Sequence, residues 1–251
     1  MAVLNKKYFL DRNKKYFRLN KLIGKACIKF NLLNDKDKVL LAVSGGKDSM
    51  TLLACLNDRK DWIPVDFEIV PVHIDPGFDD GSAEEVKNFL NENDISIHLE
   101  YTDFGVMAHG LDNINKSPCF LCSWNRRKRL FELAAEFGCN KIAFGHTKDD
   151  LIATLFLNMC YKGSLGTMVP NQEMFKGKFR VIRPLCLVDE NLVSSFIKSS
   201  GIPVFENKCP SAGVSKRDEM KVFLKTLYGK NERVKENIFR SMSHVSPDYL
   251  L

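Results

Sequence analysis

The chain has 251 residues, 45% of them hydrophobic and 27% charged, which is enough apolar chain to bury a core and too much for a disordered tail. Its eight cysteines are too sparse for a disulfide scaffold, and no apolar run approaches the roughly 18 residues of a membrane span. The net charge of +6 is uneven, with residues 1–30 carrying +8 and the rest of the chain −2.

The opening segment sets nine Lys or Arg, among them Lys6, Lys7, Lys14 and Lys15, against one acid, Asp11. Tyr8, Phe9 and Tyr16 are interleaved with the cations. Charge plus rings suits nucleic-acid phosphates and bases; the competing reading is an amphipathic helix with Phe17, Leu19, Leu22 and Ile23 on the core. The segment lacks the apolar stretch of a secretory signal. The expected compartment is the cytoplasm, where a cysteine pair is metal-binding or catalytic more often than bridged.

From residue 38 apolar runs and helical patterns alternate. Strands are expected over 39–43, 67–74, 95–101, 141–145 and 179–182, and helices over 50–56, 84–90, 123–137 and 149–161. Gly138 is expected as a left-handed cap, Asp189 as the cap of a helix to Ser200, and Gly201 as its end. Residues 162–178 read as a loop, and 215–228 and 231–243 as a helical tail. This alternation predicts an α/β fold with a doubly wound, mostly parallel sheet and helices on both faces. The expected domain plan is a basic arm over 1–34, the α/β domain over 35–210 and a helical extension over 211–251.

Ser44-Gly45-Gly46-Lys47-Asp48-Ser49 follows the first strand and opens a helix. Two glycines admit close approach of an oxyanion, and successive N–H groups at a helix start form an anion cradle. Lys47 adds charge, and Ser44 and Ser49 add hydroxyl donors. The pattern is neither a Walker A loop, which would need Gly at Leu41 and Ser or Thr at Asp48, nor a dinucleotide fingerprint. It matches the PP-loop of the ATP pyrophosphatases, and that resemblance implies cleavage of ATP at the α-phosphorus with help from Mg²⁺.

Cys119-Phe120-Leu121-Cys122 follows Pro118 and immediately precedes the expected helix at 123. The helix dipole and Arg126, Arg127, Lys128 and Arg129 are expected to lower both thiol pKa values. A third cysteine, Cys209, lies far along the chain, on a loop after an expected strand. Three thiolates suit an Fe–S cluster with an open iron, or a redox dithiol with a partner. Cys27, Cys55, Cys139, Cys160 and Cys186 are expected in the core. Gly145-His146-Thr147-Lys148-Asp149-Asp150 lies at a strand end, where open α/β sheets bind ligands. There His146 is expected to bond a phosphate, and Asp149 and Asp150 to hold Mg²⁺ or, at Asp150, to move a proton. Asp75 is a lesser nucleotide-side candidate, and His73, His98, His109 and His244 have no assigned role.

These motifs, with Val181-Ile182-Arg183-Pro184-Leu185 and the late Cys209, occur in an order that resembles the TtcA group of PP-loop tRNA thiolases. The resemblance spans about residues 18–228. It implies ATP-dependent 2-thiolation of an anticodon-loop cytidine, with ATP, Mg²⁺ and a [4Fe–4S] cluster on Cys119, Cys122 and Cys209. Phosphates would meet Ser44 to Ser49, Gly145 and His146, while Lys128 and Asp150 would handle protons near the base. The implied partners are tRNA and a sulfur donor such as a cysteine desulfurase or free sulfide, with no membrane and with homodimerisation open. Thr147 and Lys148 replace the second His and the Arg common in the group. Alternatives are a tRNA 2-thiouridine synthetase of the same superfamily, a PP-loop ligase acting on a small molecule, and a non-catalytic Fe–S or zinc RNA-binding protein.

Overall fold

The computed structural model describes residues 13–78, 81–111, 113, 117–205, 209–213, 215–229, 231 and 233–249. Lys6, Lys7, Tyr8, Phe9, Asp11 and Arg12 of the basic segment lie outside them.

The first helix, α1 (Lys14–Phe30), is capped by Asn13, whose side chain accepts from the N–H groups of Lys15 and Tyr16. Tyr16, Leu19, Ile23 and Ala26 recur at helical spacing and are buried. Phe17 falls off that stripe and is 59% exposed, contrary to expectation. Tyr16, counted above with the nucleic-acid rings, instead packs inward and bonds Asp58. The described part of the basic arm therefore shares a core with the sheet rather than standing apart.

Among the described residues six strands follow: β1 (Asp37–Ala42), β2 (Phe67–Asp75), β3 (His98–Tyr101), β4 (Lys141–Ala143), β5 (Asn171–Met174) and β6 (Phe179–Ile182). They form one sheet in the order β3-β2-β1-β4-β6-β5. All pairs are parallel except β5 with β6. The edge strand β5 lies inside the stretch expected as a loop. Its polar Asn-Gln-Glu-Met pattern hides it from hydrophobic periodicity, and pairing to β6 supplies its order. The strand expected just before Cys209 is not found: no strand lies between β6 and Cys209 among the described residues.

The intervening helices are α2 (Lys47–Arg59), α3 (Ser82–Asn91), α4 (Phe104–His109), α5 (Pro118–Glu136), α6 (Lys148–Lys162) and α7 (Glu190–Ser200), with α8 (Lys216–Gly229) and α9 (Val234–Ser241) at the end. Along β1, Val39 and Leu41 face one core with α1, α2, α3 and α7, while Leu40 faces a second core with α5. A smaller cluster joins α6 to α8 and α9. Gly138 adopts the expected left-handed conformation, and Gly201, which ends α7 as expected, does so in the same conformation. Cys55, Cys139 and Cys186 are buried as expected, but Cys160 is exposed. No helix among the described residues is long and apolar enough to cross a membrane.

A buried ion pair ties the starts of the two central strands. Lys141 Nζ lies 2.5 Å from Asp37 Oδ2 and donates to the Leu32 carbonyl at 2.9 Å. Asp37 also accepts from Asn34 N–H and Asn140 Nδ2. Removing one partner strands the other charge in the core. Asp37→Ala is expected to lower unfolding free energy by about 3 kcal/mol, and adding Lys141→Met should restore most of it, as read by urea denaturation of the single and double variants.

Candidate active site

Strand order reverses between β1 and β4, the position where an open α/β sheet forms a crevice beyond its carboxyl ends. The 44–49 loop leaves β1 there and residues 144–147 leave β4. The two loops touch at Gly145, where a Cβ would lie 2.9 Å from the Asp48 carbonyl carbon and 3.0 Å from the Ser49 nitrogen. Gly45 has a φ of +82°, open to glycine and strained for other residues, and its carbonyl accepts from Phe205 N–H at 3.0 Å. Gly46 caps α2 without a side chain, leaving the first-turn amides to a ligand.

Within the loop, Ser49 Oγ accepts from Ser44 N–H at 3.1 Å, lies 3.1 Å from Ser44 Oγ and donates to the Gly46 carbonyl at 3.0 Å. The two hydroxyls expected to face an anion therefore hold the loop's shape, and Ser49 is buried. Lys47 Nζ lies 2.9 Å from Asp48 Oδ2 and 2.8 Å from Glu190 Oε1. Burial disfavours its charge, but Glu190 and Asp48 outweigh burial and raise its pKa. Asp48 is pushed up chiefly by burial. Burial opposes the charge of Glu190 as well, yet Lys47 and Lys221 hold its pKa below the ordinary value.

The first turn of α6 separates two acids that the sequence sets side by side. Asp150 turns inward, accepts from Thr147 N–H at 2.9 Å and Oγ1 at 3.0 Å as a capping box, and pairs with Lys221 at 3.4 Å. Asp149 turns outward, pairs with Lys235 at 2.7 Å and accepts from Glu190 N–H at 2.8 Å. Successive helical residues diverge by about 100°, so the expected Mg²⁺ pair is split and only Asp150 lines the crevice. No group of three or more His, Cys, Asp or Glu among the described residues is arranged to hold a metal ion.

The crevice is a cavity of about 690 Å³. Ser44, Asp48, Gly145, His146 and Asp150 line one side, and Arg126, Arg127, Arg183 and Arg217 bring four guanidinium groups to its wall. Burial and then the neighbouring Arg183 push the His146 pKa down to about 4, so the ring is neutral at pH 7, and its buried Nδ1 has no partner. Burial, then Arg127, lowers Arg183 to about 10, and its Nε is likewise buried without a partner. Those two orphan atoms in a cavity wall are groups a bound ligand would satisfy.

Helix α5 starts at Pro118, five residues earlier than expected, so Cys119 and Cys122 lie within its first turns. Burial raises the Cys122 thiol, against the expected lowering; Arg126 opposes this, and charge on Cys209 or Cys119 adds to it. Cys122 is thus within electrostatic reach of both other thiols. The loop carrying Cys209 is tethered by Ser211, whose Oγ lies 2.7 Å from His109 Nε2 on α4. Lys128, expected beside the base, points to solvent with its amine 3.8 Å from Glu132. The helical turn puts Arg126 and Arg127, not Lys128, on the cavity side. Asp75 accepts from Gly77 N–H at the end of β2 and does not line the cavity.

Sequence reasoning did not assign a role to Glu190, Lys221, Arg217 or His109. Arg183 stood inside a quoted motif without a role. The others reach the site from distant helices and carry no local signature.

The sequence profile of the PP-loop domain family matches residues 13–218. The tRNA-cytidine(32) 2-sulfurtransferase of Citrifermentans bemidjiense is 37% identical over 238 residues, covering 94% of this chain and 93% of its own. The enzyme of that name from Geobacter sulfurreducens is 36% identical over 245 residues, covering 97% and 95%. The chain belongs to this family of PP-loop sulfurtransferases. In three dimensions it is similar to the U34-tRNA thiolase NcsA from Methanococcus maripaludis, described with its [4Fe-4S] cluster, at a TM-score of 0.75 and 21% identity, covering 98% of this chain and 85% of that one. The NH3-dependent NAD synthetase of Campylobacter jejuni aligns at a TM-score of 0.51 and 14% identity, covering 91% and 92%. Both show a shared PP-loop fold, and the PP-loop sulfurtransferase family is one of enzymes.

Two outcomes follow from the geometry. Gly145→Ala forces apart the β4 loop and the Asp48 backbone, so ATP affinity should fall at least tenfold in equilibrium binding while the fold persists. Neutral His146 in the native state binds no proton between about pH 6.5 and 4, whereas the unfolded chain does. Stability should therefore decline as pH falls through that window. Comparing urea midpoints of wild type and His146→Gln from pH 7 to 4 checks it, the variant losing less.

Proposed function

We propose that this sulfurtransferase thiolates the C2 position of a cytidine in a tRNA anticodon loop, using ATP. The observation that carries the reading is a phosphate-type loop and a guanidinium-lined cavity at one strand crossover, with α5 running from that cavity's wall back to Cys119 and Cys122. A PP-loop ligase acting on a small molecule would have no use for the thiols.

The loop amides at the start of α2 receive the β,γ-phosphates, and Lys47 exchanges a carboxylate partner for phosphate. The cytidine C2 oxygen attacks the α-phosphorus and pyrophosphate departs. Loop amides and Lys47 meet the charge that develops on it. A sulfide-level nucleophile then adds at C2, and the oxygen leaves within AMP, so one C–O bond is exchanged for one C–S bond without net redox change. Asp150, held by the capping box, is placed to carry a proton near the base. Neutral His146 offers its free Nδ1 to a phosphate oxygen or base edge. Mg²⁺ would offset phosphate charge beside Asp48 and Asp150, the carboxylates that line the cavity.

Cys119, Cys122 and Cys209 are a three-thiol donor set of the kind Fe–S clusters take, two of them one helical turn apart on α5. A [4Fe–4S] cluster, when held by these three thiolates, would supply an iron at which sulfur could bind. The sulfur is delivered as free sulfide, or as the persulfide of a cysteine desulfurase together with a thiol reductant that supplies two electrons and leaves as disulfide. In this reading the residues 1–34 arm meets tRNA phosphates, the domain over 35–210 carries the chemistry and 211–251 contributes Arg217 to the cavity wall and Lys221 to Asp150 and Glu190.

An anaerobic assay with tRNA, ATP and sulfide, read by thionucleoside analysis and pyrophosphate release, tests the proposal. Wild type should form 2-thiocytidine. Lys47→Ala should lose on the order of 10²-fold or more in both readouts. Alanine at Cys119, Cys122 or Cys209 should lose bound iron and thiolation, with Cys160→Ala as the unaffected control. Pyrophosphate release from Lys47→Ala at the wild-type rate, or no thionucleoside from wild type, overturns the reading.

A further inference from the structure

We propose that Phe120 and Trp124 form a stacking platform for unpaired bases of an RNA loop at the mouth of the cavity. The proposal rests on the tRNA reading and names a surface which that reading does not use. The two rings lie one turn apart on α5, 54% and 57% exposed, and stack with centroids 6.3 Å apart at 22°. Neither ring is needed to start the helix, which Ser117 and Pro118 already cap.

Helical spacing connects the rings to the site. Residues 120, 124, 127 and 131 recur at i, i+4, i+7 and i+11, one face of a helix. Ser123, Arg127 and Phe131 on or beside that face line the cavity. The rings are therefore the outward continuation of the cavity wall. Phe131 shows what a ring on this stripe does when the fold offers a partner: it packs against Phe175 and Phe179 and is buried. Phe120 and Trp124 offer each other one face and leave the rest to solvent.

Charge selects the occupant. Residues 118–131 contain Arg126, Arg127, Lys128 and Arg129 and no acid. Arg129 is taken up by Glu100, Glu132 and Glu136. Arg126 and Arg127 face the cavity, while Lys128, one turn beyond Trp124, is 71% exposed with only a long pair to Glu132. Flat rings interleaved with cations fit a polyanion that carries aromatic bases, and single-stranded RNA is recognised by such stacking. A base that reaches into the crevice has to leave the loop stack, and neighbouring bases so exposed need a surface. In this arrangement Lys128 contacts a backbone phosphate outside the cavity and takes no part in proton transfer.

The experiment uses the full chain with Trp62→Phe, which leaves Trp124 as the one tryptophan, since the sequence has two. A fluorescein-labelled anticodon-type RNA hairpin is titrated by anisotropy, and Trp124 emission is followed with unlabelled hairpin. Emission should be quenched on binding. Trp124→Ala and Phe120→Ala should each weaken binding roughly 5- to 100-fold, and Trp124→Phe should keep most of the affinity. A hairpin with abasic loop nucleotides should bind all variants equally weakly. Thermal melts confirm folding, which exposed rings should hardly affect. Unchanged affinity in folded alanine variants, or equal losses on the abasic hairpin, overturns the platform while leaving the tRNA reading intact. A Trp124 emission change with protein concentration alone identifies a second copy as the occupant and also overturns it. Failure of wild type to bind the hairpin or whole tRNA overturns the tRNA reading and the platform with it.

Discussion

At Gly145 the β4 loop presses on the backbone of Asp48 and Ser49 so closely that a methyl group would lie within 3.0 Å of main-chain atoms. This contact fixes where the two loops of the crevice stand relative to each other. It exists because β1 and β4 are adjacent parallel strands whose connections run in opposite directions across the sheet. A shorter side chain than alanine's is the condition for His146 and the phosphate-type loop to share one cavity.

Around this contact the charges are almost all spoken for. Lys47 sits between Asp48 and Glu190; Lys221 bridges Asp150 and Glu190; Lys235 bridges Asp149 and Asp189. Lys148 joins Asp189 to Glu236. These pairs are partly buried, so they are less screened than surface pairs. Through Lys221 and Glu190 they tie α8 to Lys47 at the start of α2, through Lys235 they tie α9 to Asp149 and Asp189, and Arg217 makes α8 part of the site's wall. An incoming anion meets a lysine already neutralised by two carboxylates, and binding must rearrange those pairs.

The cavity also gathers positive charge. Arg126, Arg127, Arg183 and Arg217 converge on a cavity whose His146 is kept neutral by burial and by Arg183, Arg217 and Arg127. A neutral imidazole and an arginine Nε, both buried without partners, leave hydrogen-bonding capacity that the protein alone does not use. The basic stripe of α5 extends this field toward the cysteines, so ATP chemistry and thiol chemistry occupy neighbouring ends of one surface.

The strand–loop–helix context of residues 44–49 made the phosphate loop legible, because glycines, a lysine and a helix start act through the backbone of six consecutive residues. Strand β6, the left-handed cap at Gly138 and the helix end at Gly201 were equally local, and alternating apolar runs announced the parallel sheet. Tertiary packing decided the rest. Asp149 and Asp150 read as a pair, but the helix sends one to Lys235 and the other to the crevice. Lys128 read as part of a reactive helix, yet its face is the solvent face. Cys209 reaches the neighbourhood of Cys122 in a fold where Ser211 is tethered to His109, more than a hundred residues away. Arg217 and Lys221 enter from a helix with no motif at all. Sequence spacing records which residues share a turn or a strand; which distant side chains meet depends on how helices pack across the sheet, and that is where the charge balance of this site was set.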